Sequence, residues 1–163
     1  MVLKSFQPII DENSKILILG SMPSVRSLEQ QEYYAHPQNR FWKVMAELCS
    51  YADLHKCKFE IKKKVLLKNN IALWDVVKTC NRQGSLDSAI ENVKPNDIKT
   101  LLKKHPNIKK IYCNGTASYT MFKKYFKDID IPVIKLPSTS PANAKYSFEK
   151  LLEEWHSLIY NHI

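Results

Sequence analysis

Lys15-Ile16-Leu17-Ile18-Leu19-Gly20 carries the strongest fold signal in the chain. Four aliphatic side chains follow one another and stop at a glycine, with no polar residue between them. A strand with one solvated face alternates polar and apolar residues, whereas a strand covered by helices on both faces reads as an unbroken apolar run. The stretch is therefore read as a buried parallel strand, and Gly20 as the start of a sharp turn.

Working outward, a loop is expected to reach Asn39, followed by a helix over 40–51 with Phe41, Met45 and Leu48 on one face. A second helix is expected over 58–68, where Asn69-Asn70 can supply a left-handed cap. Residues 71–77, Ile-Ala-Leu-Trp-Asp-Val-Val, read as a second strand with an acid, Asp75, inside it. Asn96 or Asp97 caps a helix through Leu101 and Leu102 that ends before Pro106. A third strand over 110–113 turns at Asn114-Gly115-Thr116 into a helix reaching about 126. The fourth strand, 132–136, runs into Pro137-Ser138-Thr139-Ser140-Pro141. The last helix starts near 146 and carries an apolar stripe of Phe148, Leu151, Leu152, Trp155 and Ile159. Strands alternating with helices of this length imply an α/β chain with a parallel sheet covered on both faces. Without repeats, low-complexity tracts or linkers, residues 1–163 read as one domain.

Composition bounds the partners. The 163 residues suffice for a full core, and a hydrophobic fraction of 44% is ordinary for a globular protein. The charge is not ordinary: 25 Lys+Arg against 16 Asp+Glu give a net +9, which favours a polyanionic partner or else reflects a lysine-rich surface. The four cysteines, at 49, 57, 80 and 113, form no C-x-x-C pair and match neither zinc nor iron–sulfur spacing, so they read as reduced thiols. No signal peptide and no apolar run near the roughly 18 residues of a membrane span are visible, so a cytoplasmic chain is expected, with no metal, no cofactor and no membrane.

In an open parallel sheet, ligands bind beyond the carboxyl ends of the strands. Three unusual segments fall there: the turn Gly20-Ser21-Met22-Pro23-Ser24, Asp75 with its following turn, and the Pro137–Pro141 loop. A fourth, Tyr33-Tyr34-Ala35-His36-Pro37-Gln38-Asn39-Arg40-Phe41-Trp42, puts four aromatic rings where a connecting loop is normally small and polar. Such a segment suits a pocket that stacks a flat ring, with Tyr34 and its neighbour Tyr33 as the candidates. His36 either fixes the loop or touches a ligand, and Asn39 either caps the helix or faces the pocket. Asp75 in an apolar strand needs a partner: it reads the edge of a bound base, caps the next turn, or pairs with a Lys or Arg. The hydroxyls of Ser138, Thr139 and Ser140 suit either phosphates or the capping of an ordinary loop. No Gly-x-Ser-x-Gly elbow, His-x-x-x-His pair or dinucleotide fingerprint occurs.

Taken together, Gly20-Ser21-Met22-Pro23, the 33–42 segment and Leu136-Pro137-Ser138-Thr139-Ser140-Pro141-Ala142-Asn143-Ala144 resemble the uracil-DNA glycosylase superfamily. They look most like its hypoxanthine-DNA glycosylase branch, as do residues 71–77 and Gly84-Ser85-Leu86-Asp87-Ser88-Ala89-Ile90. The resemblance implies a three-layer α/β/α fold around a four-stranded parallel sheet, with a flipped nucleotide at the strand ends. It implies base excision on DNA carrying a deaminated base, chiefly hypoxanthine, by a monofunctional enzyme acting as a monomer near the nucleoid. Asn39 becomes the catalytic residue, which positions water or holds the base. Gly20, Ser21, Met22, Tyr34, His36 and Phe41 enclose the ring, and Asp75 accepts from the N1–H of a purine. Ser138, Thr139 and Ser140 clamp phosphates, with Asn143 and Lys145 beside the element that enters the duplex. Two departures matter. Met22 stands where relatives place a polar residue that handles water, and Leu136 where they place one that stabilises departing uracil. Both argue against ordinary uracil excision, and leave a mismatch-type uracil enzyme or an inactive DNA-binding domain as alternatives.

Overall fold

A computed structural model of the chain describes residues 1–160. In chain order the elements begin with β1 (Leu3–Lys4), β2 (Ile16–Gly20), α1 (Val25–Gln30) and α2 (Phe41–Leu48). They continue with α3 (Phe59–Lys68), β3 (Ile71–Asp75), β4 (Val77–Asn81), β5 (Glu91–Pro95) and α4 (Ile98–Lys104). The last are β6 (Lys110–Asn114), α5 (Thr116–Tyr125), β7 (Val133–Leu136), α6 (Phe148–Trp155) and α7 (Ser157–Tyr160).

The expected four-stranded parallel sheet is present, in the order β3-β2-β6-β7. Alternation across the pleat splits the apolar run of β2 between two cores. Ile16 and Ile18 pack with Phe41, Met45, Leu66 and Trp155 on one face; Leu17 and Leu19 pack with Ile98, Ile111 and Phe122 on the other. The fold is thus three layers, α/β/α. Asp97 caps α4 by accepting from Thr100 N, and Asn70 takes the left-handed conformation after α3 (φ 61°). The Ile159 end of the expected stripe lies outside the described side chains.

Four expectations need correction. The segment after Gly20 is not all loop: α1 forms there, capped by Ser24 Oγ, and its Val-Arg-Ser-Leu-Glu-Gln sequence carries no apolar stripe to announce it. The strand expected over 71–77 breaks at Asp75, because Val76 N and Val77 N bond back to Gly20 O (2.9 Å) and Ser21 O (3.1 Å). The chain then enters a separate antiparallel sheet, β1-β4-β5, which was not foreseen because its strands are short and mostly polar. The helix expected from about 146 begins at Phe148, where Ser147 Oγ accepts from Lys150 N.

Register places the site. Gly20 pairs with Asp75, and Leu19 with Cys113, so Gly20, Asp75 and Asn114 stand level at the carboxyl edge of the sheet.

Candidate active site

A cavity of about 310 Å³ opens at this edge. Gly20, Asp75 and Asn114 form its floor; the turn 21–24, the 33–39 segment, the 138–142 loop and the tip of the β4–β5 hairpin (85–87) form its walls. The four segments singled out in the sequence therefore do converge.

Asp75 is the buried acid of the floor, 3% exposed, and its Oδ2 has no hydrogen-bond partner. Its backbone is immobilised, since Asn96 Nδ2 donates to Asp75 O (2.8 Å) and Val77 O (3.2 Å). Burial, reinforced by the nearby Asp87 carboxylate, pushes the Asp75 carboxyl up to about 7, and the Arg82 guanidinium only partly opposes this. Gly20 is required beside it: a Cβ there would lie 2.5 Å from Asp75 Oδ1 and 2.8 Å from Tyr34 Oη. The glycine is what lets acid and phenol close in on the strand end.

Tyr34 forms a wall. It adopts a left-handed backbone (φ 54°), and its ring stacks on Phe41 with centroids 4.2 Å apart. Asn114 Nδ2 donates to Tyr34 Oη (3.1 Å) and to Thr139 Oγ1 (3.0 Å), while Asn114 Oδ1 accepts from Thr139 N (3.0 Å). Burial and then the charge of Asp75 push the Tyr34 hydroxyl up, so it stays a neutral phenol. Tyr33 touches the cavity but is mainly core, with its hydroxyl donating to Gln7 O (2.8 Å).

Asn39 Oδ1 accepts from Phe41 N at 2.9 Å, one residue ahead of Arg40 at the N-cap position of α2. It thus holds the first turn while lining the cavity, and its Nδ2 donors have no partner among the described residues. His36 Nδ1 accepts from Gln38 N (3.1 Å), which leaves the ring proton of the neutral form on Nε2.

Some expected site residues have other work. Phe41 is fully buried and stands behind Tyr34, so it supports the wall without lining it. Thr139 lines the cavity but is fully buried; its hydroxyl oxygen accepts from Asn114 Nδ2 and its N–H donates to Asn114 Oδ1, so it fastens the loop to the end of β6. Met22 lines the cavity but packs with Val77 and Cys80, and Ser21 Oγ is committed to Asp87 Oδ1 at 2.6 Å. Ser138 and Ser140 do line the cavity: each hydroxyl accepts a backbone N–H, from Ser140 and Ala142, and keeps its own proton to donate outward. Asn143 braces the loop by donating to Ser138 O (3.0 Å), while Lys145 is exposed and does not line the cavity. Leu136 is a buried core residue.

Three further residues take part that the sequence does not single out. Asn114 ties the 33–42 segment and the Pro137–Pro141 loop to the end of β6, and a polar side chain at a strand's carboxyl end before a glycine is its only signal. Arg40 donates to the carbonyls of Ser140 (3.2 Å), Asn143 (3.1 Å) and Tyr146, holding the 140–146 loop by charge. Arg82 does the same for the hairpin, donating to Gly84 O (2.7 Å) and Pro23 O (2.6 Å).

Known proteins place this architecture. Residues 7–159 match the family model of the Uracil DNA glycosylase superfamily. A protein of Methanosarcina acetivorans named hypoxanthine DNA glycosylase is 35% identical over 97% of this chain and 98% of its own. A second, of the same name from Methanosarcina barkeri, is 37% identical over 72% of this chain and 74% of its own. The solution NMR structure of a candidate uracil DNA glycosylase from Methanosarcina acetivorans superposes with a TM-score of 0.86 at 34% identity, covering 99% of this chain and 98% of that one. The family match over nearly the whole length and the strand-end cavity agree: the chain belongs to the uracil DNA glycosylase superfamily.

Proposed function

We propose that the chain is a monofunctional DNA glycosylase that hydrolyses the N-glycosidic bond of deaminated bases, chiefly hypoxanthine in deoxyinosine, after rotating the nucleotide into the cavity. The observation that carries this reading is Asp75, a buried carboxyl with an unpartnered oxygen on the floor of a cavity at the strand ends. Hypoxanthine presents an N1–H donor beside the O6 acceptor. Adenine presents a lone pair at N1 instead. An ionised Asp75 accepts from the first and repels the second; a neutral one can in addition donate to O6. A deaminated base also pairs less well, so extracting it from the stack costs less.

When the C1′–N9 bond breaks, its electron pair leaves with the base; water adds at C1′, and the proton it gives up ends on the departed base. Asn39 is suited to the departing ring: its Oδ1 is held by Phe41 N, so its free Nδ2 acts as a fixed donor to developing negative charge. The helix-capping and catalytic roles of Asn39 thus belong to opposite ends of one amide. Met22, packed into the core, handles no water. Ser138 and Ser140, with outward hydroxyls, and the net charge of +9 suit a phosphate backbone.

The test is a duplex with one deoxyinosine, incubated with the protein and then treated with alkali, beside the same duplex with one uracil. Scission at inosine alone is expected. Scission at uracil alone would make this a uracil enzyme, and binding without scission at either would make it a DNA-binding domain. Asn39→Asp keeps the acceptor for Phe41 N and removes the donor, so excision should fall about 10²–10³-fold with little change in thermal stability. Excision at the wild-type rate would reduce Asn39 to a cap.

A further inference from the structure

Rotating a nucleotide out of a duplex leaves a gap in the base stack. Proteins that open a stack commonly fill such a gap with an apolar side chain presented on a firm support. The resemblance of the sequence directs attention to Asn143, Ala144 and Lys145 for this element, after the stiff Pro137–Pro141 loop. Within residues 142–146 no exposed apolar side chain exceeds alanine: Ala142 and Ala144 are exposed, Asn143 is turned in to Ser138 O, and the half-buried Tyr146 packs against the core; ahead of them the exposed Pro141 lines the cavity with a short, rigid ring.

The hairpin on the other side of the cavity mouth differs. Leu86, at the tip between β4 and β5, is 62% exposed, joins none of the hydrophobic clusters, and lines the cavity. Of the large hydrophobic residues exposed on the described chain, it alone lines the cavity. Its support is firm, because bonds on both sides pin the tip to the turn after β2. Ser21 Oγ donates to Asp87 Oδ1 (2.6 Å), Val25 N to Ser85 Oγ (2.9 Å), and Arg82 spans Gly84 O and Pro23 O. The place of a leucine left largely in water over a cavity, on a tip held by four hydrogen bonds, is not explained by core packing.

We propose that Leu86 is the side chain that enters the duplex beside the extruded nucleotide and holds the stack open while the base occupies the cavity. The β4–β5 hairpin is then the DNA-opening element, and the 138–146 loop is left to grip the backbone. This rests on the glycosylase reading but is tested apart from it.

The probe is a duplex with one deoxyinosine next to 2-aminopurine, whose fluorescence rises when it loses its stacking neighbour. The wild-type protein should brighten it on binding, and Leu86→Ala should remove most of that rise. Excision from the duplex should fall roughly tenfold in Leu86→Ala, and by less than about threefold on a single strand, where no stack has to be held apart. Leu86→Met, which restores apolar bulk, should recover most of both signals. An undiminished fluorescence rise in Leu86→Ala, no rise with the wild type, or equal loss on duplex and single strand would each overturn the proposal. Brightening without scission at inosine would refute the glycosylase reading and leave the wedge standing.

Discussion

At the floor of the cavity, Gly20, Asp75 and Asn114 sit on strand ends whose backbones are locked by the parallel sheet; at the rim, Leu86 and Lys145 ride on loops. The floor is buried, and its polar atoms are shared among a few partners in low dielectric, so each group sets the position or charge state of the next. The rim is solvated, and bonds of Arg82, Arg40, Ser21, Ser85 and Asn143 hold it down. Floor and rim therefore tolerate substitution differently. An altered floor should disturb fold and chemistry together, whereas an altered rim should change how DNA is engaged and spare the fold.

Asp75 offers the largest effect by which to break this division. Burial raises its carboxyl from the ordinary carboxylate range to about 7. Between roughly pH 4 and 7 the folded protein therefore keeps a proton that the unfolded chain has released. The associated stability is complete below the unfolded value and is lost as pH rises through the folded one. At ~1.4 kcal/mol per unit, the loss from pH 4 to 8 is up to about 4 kcal/mol. Asp75→Asn cannot ionise and should flatten that slope, as read from urea midpoints at several pH values. A slope unchanged in the variant would place the titration elsewhere.

Gly20→Ala comes next and sharpens the same point. Its methyl would press on Asp75 Oδ1 and Tyr34 Oη, and relieving such overpacking costs about 1–3 kcal/mol. Excision should suffer more than duplex affinity, because the pocket and not the rim is displaced. Unchanged excision would mean that neither the acid nor the phenol has to hold its place.

The smallest effect belongs to the rim. Lys145→Ala should lower duplex affinity a few-fold and reduce the slope of log affinity against log salt by about 1, while thermal stability stays within roughly 0.5 kcal/mol of wild type. A salt slope identical to wild type would remove Lys145 from the DNA contact.

Much of the site was legible because its residues offend local expectation: an acid inside an apolar strand, aromatics in a loop, hydroxyls between prolines. Asn114 and Arg82 offend nothing. A polar residue after a strand and an arginine near a turn are ordinary, and they matter only through partners distant in sequence, Tyr34 and Thr139 for one and Pro23 for the other. The expected role of Phe41 failed for the complementary reason. Its chemical type suited a pocket, but burial had already assigned it to the support.

By itself the sequence determined the parallel sheet and the convergence of its motifs, since an unbroken apolar run can be satisfied only by cover on both faces and strand ends are where such sheets bind. It also determined the basic charge and the presence of an amide before α2. Tertiary structure alone decided which end of the Asn39 amide stays free, how far Asp75 is raised, and that Leu86 stands at the mouth of the cavity. Those properties depend on burial and on hydrogen bonds between residues far apart in the chain, and no local pattern records them.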